Sequence, residues 1–197
     1  MASFKYLWTH RAKFSLASRN FYRAWGKRLF SFPELLRRNR RRFKLTKEGA
    51  TIDETAEIGE ATIMGRIRLL SIGRQSFLGR VNIMVHDEVS IGERVCINDG
   101  VEILTASHDV GDPDWKVIKA GIIIEDYVWI GTGAMILPGI KIGYGAVIGA
   151  RAVVSKSVGA GEIVVGNPAK IIARKRCEEL KYNPCEFLAA NRAWLFG

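Results

Sequence analysis

The chain has 197 residues, 48% of them hydrophobic, and a formal net charge of +10 at pH 7. This length is typical of one domain with an extension, and the chain contains no run of the roughly 20 apolar residues that a membrane-spanning helix requires. The charge is uneven: residues 1–48 contain 14 Lys and Arg against two Glu, whereas residues 49–197 have a net charge of −2. Because no recognised nucleic-acid-binding fold accompanies the basic segment, we expect no nucleic-acid partner.

The cysteines and the amino-terminal charges bear on the compartment. Cys96, Cys177 and Cys185 are odd in number and form no paired framework, which fits a reducing environment. Basic residues such as Arg11 and Lys13 interrupt every apolar run near the amino terminus, so we expect no secretory signal peptide. We therefore predict a cytoplasmic protein, with peripheral association at the inner face of the cell membrane as an option.

Residues 1–48 form a basic, aromatic extension whose pattern predicts an amphipathic helix. Apolar residues recur at intervals of three, four or seven, with cations between them: Phe4, Leu7, Trp8, Phe14, Phe21, Trp25 and Leu29. Two interpretations remain open. The helix lies on an anionic membrane surface with its aromatic side chains inserted, or it packs across the end of the next domain or on a neighbouring subunit. Residues 37–42, with the sequence RRNRRR, are predicted to be a charged linker.

A six-residue period follows the extension. In its clearest stretch a β-branched residue occurs every six positions, and a glycine follows three of these residues: Ile124, Ile130, Ile136, Ile142, Ile148 and Val154. A β-branched residue suits a short strand, and a glycine suits a tight corner. If three strands close one coil, Ile124 stacks on Ile142 at a spacing of about 4.8 Å. The period therefore predicts a solenoid with a dry interior of stacked Ile and Val side chains.

The period extends towards the amino terminus with slips of one or two residues. The predicted interior positions there are Ile91, Ile97 and Ile103, then Ile72, Leu78 and Met84, and before them Ile52, Ile58, Met64 and Leu70. The largest break separates Ile103 from Ile124, which are 21 residues apart. We therefore predict a solenoid domain over residues 49–173 with an inserted loop at about 105–121, and a helical tail over residues 174–197. A loop of this length in a compact domain is typical of a functional site.

The inserted loop contains the residues best suited to chemistry. It has the sequence TASHDVGDPDWKVIKAG and includes His108, Asp109 and Trp115. An imidazole that titrates near neutral pH is the usual general base for activating a hydroxyl or an amine. His108 is therefore the candidate catalytic base, and the alternative is that it is an ordinary polar loop residue.

Several segments resemble one protein family. The segments ILTASHD, IEDYVWIGTGAMILPGIKIGYGAVIGARAVVSKSV and VVGNPAKII are similar to the hexapeptide-repeat acetyltransferases of the maltose, galactoside and nodulation group, especially the colanic-acid and exopolysaccharide O-acetyltransferases. The resemblance covers roughly residues 50–175. It implies an all-β, left-handed parallel β-helix with helical extensions at both ends, and a homotrimer with active sites between subunits. It also implies acetyl-CoA as co-substrate, and His108 as the base that deprotonates the acceptor.

The resemblance also implies a coenzyme site along the later coils. The matching positions are Gly131, Thr132, Gly149, Ala150, Ser155, Lys156, Lys170 and Arg174. CoA is a polyanion with a thin neutral arm, which suits isolated cations on a neutral body. Asn82, Asp109 and Trp115 are candidates for contact with the acceptor, although Trp115 could instead pack on a neighbouring subunit. The family's usual pair of prolines is replaced here by Gly159, Ala160 and Gly161.

Three function classes follow from these features. The first is transfer of acetyl to a hydroxyl of a sugar, either small or lipid-linked, with an amino-sugar or an antibiotic as the alternative acceptor. The second is a zinc enzyme on the same scaffold, which needs three imidazoles around the metal. The chain has only His10, His86 and His108, and His10 lies in the extension, so we expect no metal. The third is a scaffold without catalytic activity, against which the position of His108 argues.

Overall fold

The computed structural model describes residues 2–197. It contains the helices α1 (Phe4–His10), α2 (Arg19–Lys47) and α3 (Ala189–Leu195) and the short 3₁₀ helices Ile67–Leu69 and Pro184–Phe187. The strands are β1 (Thr51–Ile52), β2 (Glu57–Ile58), β3 (Thr62–Gly65), β4 (Leu70–Ile72), β5 (Phe77–Leu78), β6 (Asn82–Val85), β7 (Val89–Ile91), β8 (Cys96–Ile97), β9 (Glu102–Leu104), β10 (Ala106–His108), β11 (Val117–Lys119), β12 (Ile122–Ile124), β13 (Trp129–Ile130), β14 (Met135–Ile136), β15 (Lys141–Ile142), β16 (Val147–Ile148), β17 (Val153–Val154), β18 (Ile163–Val165) and β19 (Lys170–Ile171).

The strands stack into three sheets that form the sides of a prism. Sheet A has the order β1-β4-β7-β12-β15, sheet B has the order β19-β18-β16-β13-β8-β5-β2, and sheet C has the order β17-β14-β9-β6-β3. The pairs within the coils are parallel, and Ile124 pairs with Ile142 in the register that the six-residue period predicts. Ile130 pairs with Ile148, and their side chains are fully buried. The structure therefore confirms the predicted class of fold, a parallel β-helix with helices at both chain termini.

The predicted interior positions of the early coils were wrong by one residue in sheet C. Ile83, not Met84, pairs with Ile103 and is fully buried, whereas Met84 is half-buried. In the preceding coil Met64 is 51% exposed. Side chains alternate between the two faces of a strand, so a slip of one residue turns the predicted interior residue outwards.

The amino-terminal helices and α3 pack together at the start of the β-helix. Leu7 of α1, Leu35 of α2 and Trp194 of α3 share one buried cluster. The side chain of Arg28 is 3% exposed and donates hydrogen bonds to the carbonyl oxygens of Ala193 at 3.1 Å and Ala12 at 2.6 Å. These bonds to buried carbonyls satisfy the guanidinium and fix the three helices to one another.

The prediction of a charged linker at residues 37–42 was wrong, because these residues belong to α2. Arg and Lys are good helix formers, so a run of arginines does not end a helix. Several of these arginines attach α2 to the first coil: Arg42 donates to the carbonyl oxygens of Asp53 and Ala56, and Arg41 lies 3.6 Å from the carboxylate of Glu60. Leu45 joins the main hydrophobic core.

The carboxy-terminal tail is helical only in part. Residues 174–183 contain no helix, and the helical part begins at Pro184. Arg176 donates to the carbonyl oxygens of Tyr127 at 2.7 Å and Gly145 at 3.0 Å, which holds this segment against the coils in a non-helical path. Among residues 2–197, no helix combines the length and apolar character that crossing a bilayer requires.

Candidate functional site

The inserted loop folds as a hairpin that leaves the prism where the chain passes from sheet C to sheet A. Strands β10 and β11 pair antiparallel, and His108 is opposite Val117. The carboxylate of Asp109 accepts a hydrogen bond from the backbone N–H of Gly111 at 2.9 Å, and Asp112 does the same for Asp114 at 2.8 Å. Asp109, a predicted acceptor contact, therefore shapes the turn of the hairpin.

Thr105 fixes the base of the hairpin to the preceding coil. Its side chain is fully buried, and its hydroxyl donates to the carbonyl oxygen of Met84 at 2.6 Å. The hydroxyl oxygen of Thr105 in turn accepts from the backbone N–H groups of His86 at 2.8 Å and Asp87 at 3.1 Å. Because a buried hydroxyl with three partners is costly to displace, the hairpin leaves the prism in a defined direction.

The ring of His108 is held by Trp115 on the facing side of the hairpin. Nδ1 of His108 lies 2.6 Å from the carbonyl oxygen of Trp115, and the two rings stack with centroids 3.7 Å apart and planes at 10°. A carbonyl oxygen can only accept, so Nδ1 carries a proton, and in the neutral ring Nε2 then presents its lone pair. Within residues 2–197, Nε2 has no hydrogen-bond partner. The neutral ring is thus prepared to take a proton at Nε2.

The backbone of Trp115 has the geometry that produces this contact. Its φ is 52°, in the left-handed region that bulky residues rarely adopt, and its N–H donates to the carbonyl oxygen of Asp112 at 3.0 Å. The sequence singled out the ring of Trp115 but not its carbonyl group, because no composition signal marks a left-handed tryptophan. Such strain is typical of functional loops.

Small residues form a row at the corner where the chain passes from sheet B to sheet C. A Cβ added at Gly131 would lie 2.7 Å from the backbone nitrogen of Ala150, so these two positions are stacked in adjacent coils. The N–H of Arg151 donates to the carbonyl oxygen of Thr132 at 2.9 Å, and both Thr132 and Ala150 are exposed. We call Gly131, Thr132, Gly149 and Ala150 the small-residue row.

Of the predicted cations, the structure brings Lys170 near this row. A Cβ at Gly149 would lie 2.8 Å from the side chain of Val165, and Val165 pairs with Lys170 in the turned-back strand β19. The backbone N–H of Ala169, the neighbour of Lys170, donates to the carbonyl oxygen of Val153, which begins the strand after Ala150. Lys170 is therefore an exposed cation at one end of the small-residue row.

The remaining predicted site residues lie elsewhere. Ser155 and Lys156 follow β17, at the corner between sheets C and A from which the hairpin leaves two coils earlier. Arg174 lies beyond β19 and lines a cavity of about 660 Å³ with Tyr144 and Glu162, at the edge of sheet B opposite to the row. Asn82 begins β6 and is exposed on the outer side of sheet C.

Within one chain the hairpin and the small-residue row stand at different corners of the prism. Thr132 precedes strand β14 of sheet C, whereas His108 follows strand β9 of the same sheet. All strands of this sheet run in parallel, so the two groups flank opposite edges of it. The site predicted from the sequence is therefore divided between two corners.

Two of the three cysteines lie in apolar surroundings that suppress thiolate formation. Burial raises the pKa of Cys96 to about 11 and that of Cys185 to about 12. The thiolate is the nucleophilic form of cysteine, so these two side chains are poorly suited to covalent catalysis. His108 remains the better candidate for chemistry.

Comparison with known proteins agrees with the geometry. The family model for bacterial transferase hexapeptide (six repeats) matches residues 121–156. The chain is 33% identical over 139 residues to a putative colanic acid biosynthesis acetyltransferase, WcaF, of Escherichia coli K12, covering 70% of this chain and 76% of that protein. It is 41% identical over 92 residues to a putative acetyltransferase of Schizosaccharomyces pombe, covering 44% of this chain and only 43% of the relative.

Solved structures of similar proteins extend the comparison to the whole fold. A hexapeptide-repeat acetyltransferase of Vibrio cholerae in complex with acetyl-CoA has a TM-score of 0.63 and 25% identity, with 89% of this chain and 98% of that chain covered. A maltose O-acetyltransferase of Clostridium difficile 630 has the same TM-score and identity, with 91% and 99% covered. The chain belongs to the hexapeptide-repeat acetyltransferases.

Proposed function

We propose that this protein transfers an acetyl group from acetyl-CoA to a hydroxyl of a sugar or saccharide intermediate, with His108 as general base. The observation that carries the proposal is the hydrogen bond from Nδ1 of His108 to the carbonyl oxygen of Trp115. This bond fixes the tautomer in which Nε2 accepts a proton. The ring of Trp115, which stacks on that of His108, would stabilise the imidazolium that forms.

The reaction needs one proton acceptor and no covalent enzyme intermediate. Nε2 of His108 removes the hydroxyl proton as the acceptor oxygen attacks the carbonyl carbon of the thioester. The C–S bond then breaks, the acceptor leaves as its acetyl ester, and the proton passes from His108 to the departing sulfur to give free CoA. General-base assistance of this kind contributes about 10²–10⁴-fold in rate.

The small-residue row supplies a surface suited to the pantetheine arm. Gly131 and Gly149 have no side chains, and Thr132 and Ala150 are exposed beside them. A thin neutral arm can approach the backbone of these residues closely. Lys170 at the end of the row would attract the phosphates of the coenzyme, and Ser155 and Lys156 remain candidate contacts at the next corner.

We further infer that the active site is completed between subunits of a homotrimer. The hairpin and the row flank opposite edges of sheet C in one chain, so one subunit would supply His108 and its neighbour would supply the row. Mixing two inactive variants tests this arrangement. His108→Ala and Ala150→Trp, each inactive alone, should regain part of the wild-type activity after their subunits are exchanged, because some sites then combine an intact hairpin with an intact row.

The double variant, His108→Ala with Ala150→Trp in one chain, is the matched control. Mixed with the His108→Ala variant, it should restore no activity, since no subunit then carries the base. Mass measurement of the mixed assemblies shows whether exchange has occurred. If mixed trimers of the two single variants form and stay inactive, the proposed sharing of the site is wrong.

A saccharide hydroxyl is the acceptor we favour, since one similar protein of known structure is a maltose O-acetyltransferase and one relative is named a putative colanic acid biosynthesis acetyltransferase. The test is thioester cleavage with acetyl-CoA and a panel of sugars, lipid-linked saccharides, amino-sugars and chloramphenicol. Saccharide hydroxyls should give the highest kcat/KM. Faster turnover of an amino-sugar would indicate N-acetylation instead, and faster turnover of chloramphenicol would indicate an antibiotic acceptor.

The proposed location is the cytoplasm. Cys96, Cys177 and Cys185 are free thiols in the structure, which agrees with a reducing compartment. Acetyl-CoA, the co-substrate, and a sugar acceptor would meet there.

A further inference from the structure

Helix α2 exposes apolar side chains along one line. Tyr22, Leu29, Leu36 and Phe43 are spaced seven residues apart and are 67%, 70%, 44% and 70% exposed. A spacing of seven places residues on the same side of a helix. We call these four residues the apolar stripe. With 29 residues at 1.5 Å each, the helix that carries it is about 43 Å long.

The apolar stripe belongs to neither of the buried clusters that residues 2–197 form. The buried side of α2 is formed by other residues: Leu35 packs with α1 and α3, Arg28 bonds to α3, and Leu45 packs on the core of the β-helix. Trp8 of α1 is 42% exposed, and its ring lies 6.5 Å from that of Trp25, so aromatic surface continues beside the stripe. An exposed aromatic surface of this extent is typical of an interaction site.

Cations border the apolar stripe on its other side. Phe30 is 91% exposed and lies among basic residues that are also exposed: Arg19, Arg23, Arg37, Arg40, Lys44 and Lys47. The one acidic residue of α2 is Glu34, and it is already paired with Arg38 at 2.6 Å. Glu34 also lies 3.9 Å from Arg37. The other exposed cations on the border therefore have no carboxylate of their own helix left to pair with.

This charge pattern distinguishes between a lipid surface and a second copy of the helix. In a coiled coil centred on the stripe, Arg40 and Lys47 would occupy flanking positions, where stable pairs need charges of opposite sign. Two copies would bring like charges together. An anionic bilayer instead offers phosphates to the cations and an apolar layer to Phe, Leu and Tyr side chains.

We propose that the apolar stripe and its cationic border dock the protein on an anionic lipid surface, with α2 lying in the plane of the membrane. The inference does not depend on the identity of the acceptor. It assigns the exposed side of α2 to lipid and the buried side to packing within the protein. The two interpretations of the basic extension, membrane binding and packing on the protein, then apply to different sides of one helix.

Co-sedimentation with vesicles tests the proposal. Full-length protein should pellet with vesicles of equal parts phosphatidylglycerol and phosphatidylcholine, and should stay in solution with phosphatidylcholine alone. Leu29→Ser with Phe43→Ser, or Arg40→Glu with Lys44→Glu, should lower the partition coefficient roughly tenfold or more. All four positions are exposed, so circular dichroism and acetyl transfer to a soluble sugar should remain at wild-type values.

Matched controls use exposed positions outside α2. Phe187→Ser, at a side chain that is 77% exposed, should bind vesicles like the wild type. Lys175→Glu with Lys181→Glu makes the same change in net charge as the α2 pair and should have a much smaller effect. Equal pelleting of wild type and α2 variants would overturn the proposal. Dissociation of the assembly by Leu29→Ser with Phe43→Ser would also overturn it, because the stripe would then be an interface between copies.

Discussion

His108→Ala is expected to lower kcat for acetyl transfer by about 10²–10⁴-fold, the usual contribution of a general base. Nε2 of His108 is the proton acceptor that we propose, and the carbonyl oxygen of Trp115 holds the ring through Nδ1. His108→Ala should change kcat more than the KM for acetyl-CoA, because the small-residue row, the coenzyme surface that we propose, lies at another corner. Steady-state kinetics with a saccharide acceptor measures both quantities.

His10→Ala is the matched control, since His10 ends α1 and is exposed, far along the chain from the hairpin. It should retain wild-type kcat. If His108→Ala also retained it, the assignment of the base would be wrong. If His108→Ala raised KM and left kcat unchanged, the histidine would bind the acceptor rather than take its proton.

Gly131→Ala should lower the free energy of unfolding by about 1–3 kcal/mol, the usual cost of overpacking. The new Cβ would lie 2.7 Å from the backbone nitrogen of Ala150 and 2.9 Å from the carbonyl oxygen of Ile148. Both are backbone atoms, so the two coils must separate, which strains the hydrogen bond from the N–H of Gly131 to the carbonyl oxygen of Ile148, now 2.8 Å. Chemical denaturation measures the change, and the KM for acetyl-CoA should rise with it.

Gly26→Ala is a control with the opposite expected sign. A Cβ at Gly26 has nothing within 4 Å, and the residue lies inside α2. Alanine in a helix interior is favoured over glycine by about 0.5–1 kcal/mol, so this variant should be slightly more stable than the wild type. A Gly131→Ala variant as stable as Gly26→Ala would contradict the close stacking of the two coils.

The later coils could be predicted from the sequence because one residue type recurs at a fixed interval. Ile124, Ile130 and Ile136 each pair with the residue 18 positions further on, as the period requires. In sheet C of the early coils Met84 occupies the predicted phase, but Ile83 fills the core. Methionine and isoleucine are both apolar, so hydrophobicity alone cannot distinguish a slip of one residue.

The site could be predicted only in part. His108 stood out by its residue type and by the break in the period, and the family resemblance supplied its role. The orienting group is a backbone carbonyl at Trp115, in a conformation that tertiary context enforces and residue type does not reveal. The helical state of residues 37–42 was missed for a different reason: the run of charges was interpreted as a linker, although Arg and Lys are good helix formers.

Helix α2 also limits how far the stack of coils can grow. Strands β1, β2 and β3 each have a neighbour on one side only, so the first coil would otherwise present a bare template to the last coil of another molecule. Leu45 covers the open end of the core, and Arg42 donates hydrogen bonds to two carbonyl oxygens of the first coil. At the opposite end β19 reverses direction on β18. Because both ends of the stack are covered in this way, we expect the repeat to form a particle of finite length rather than a fibre.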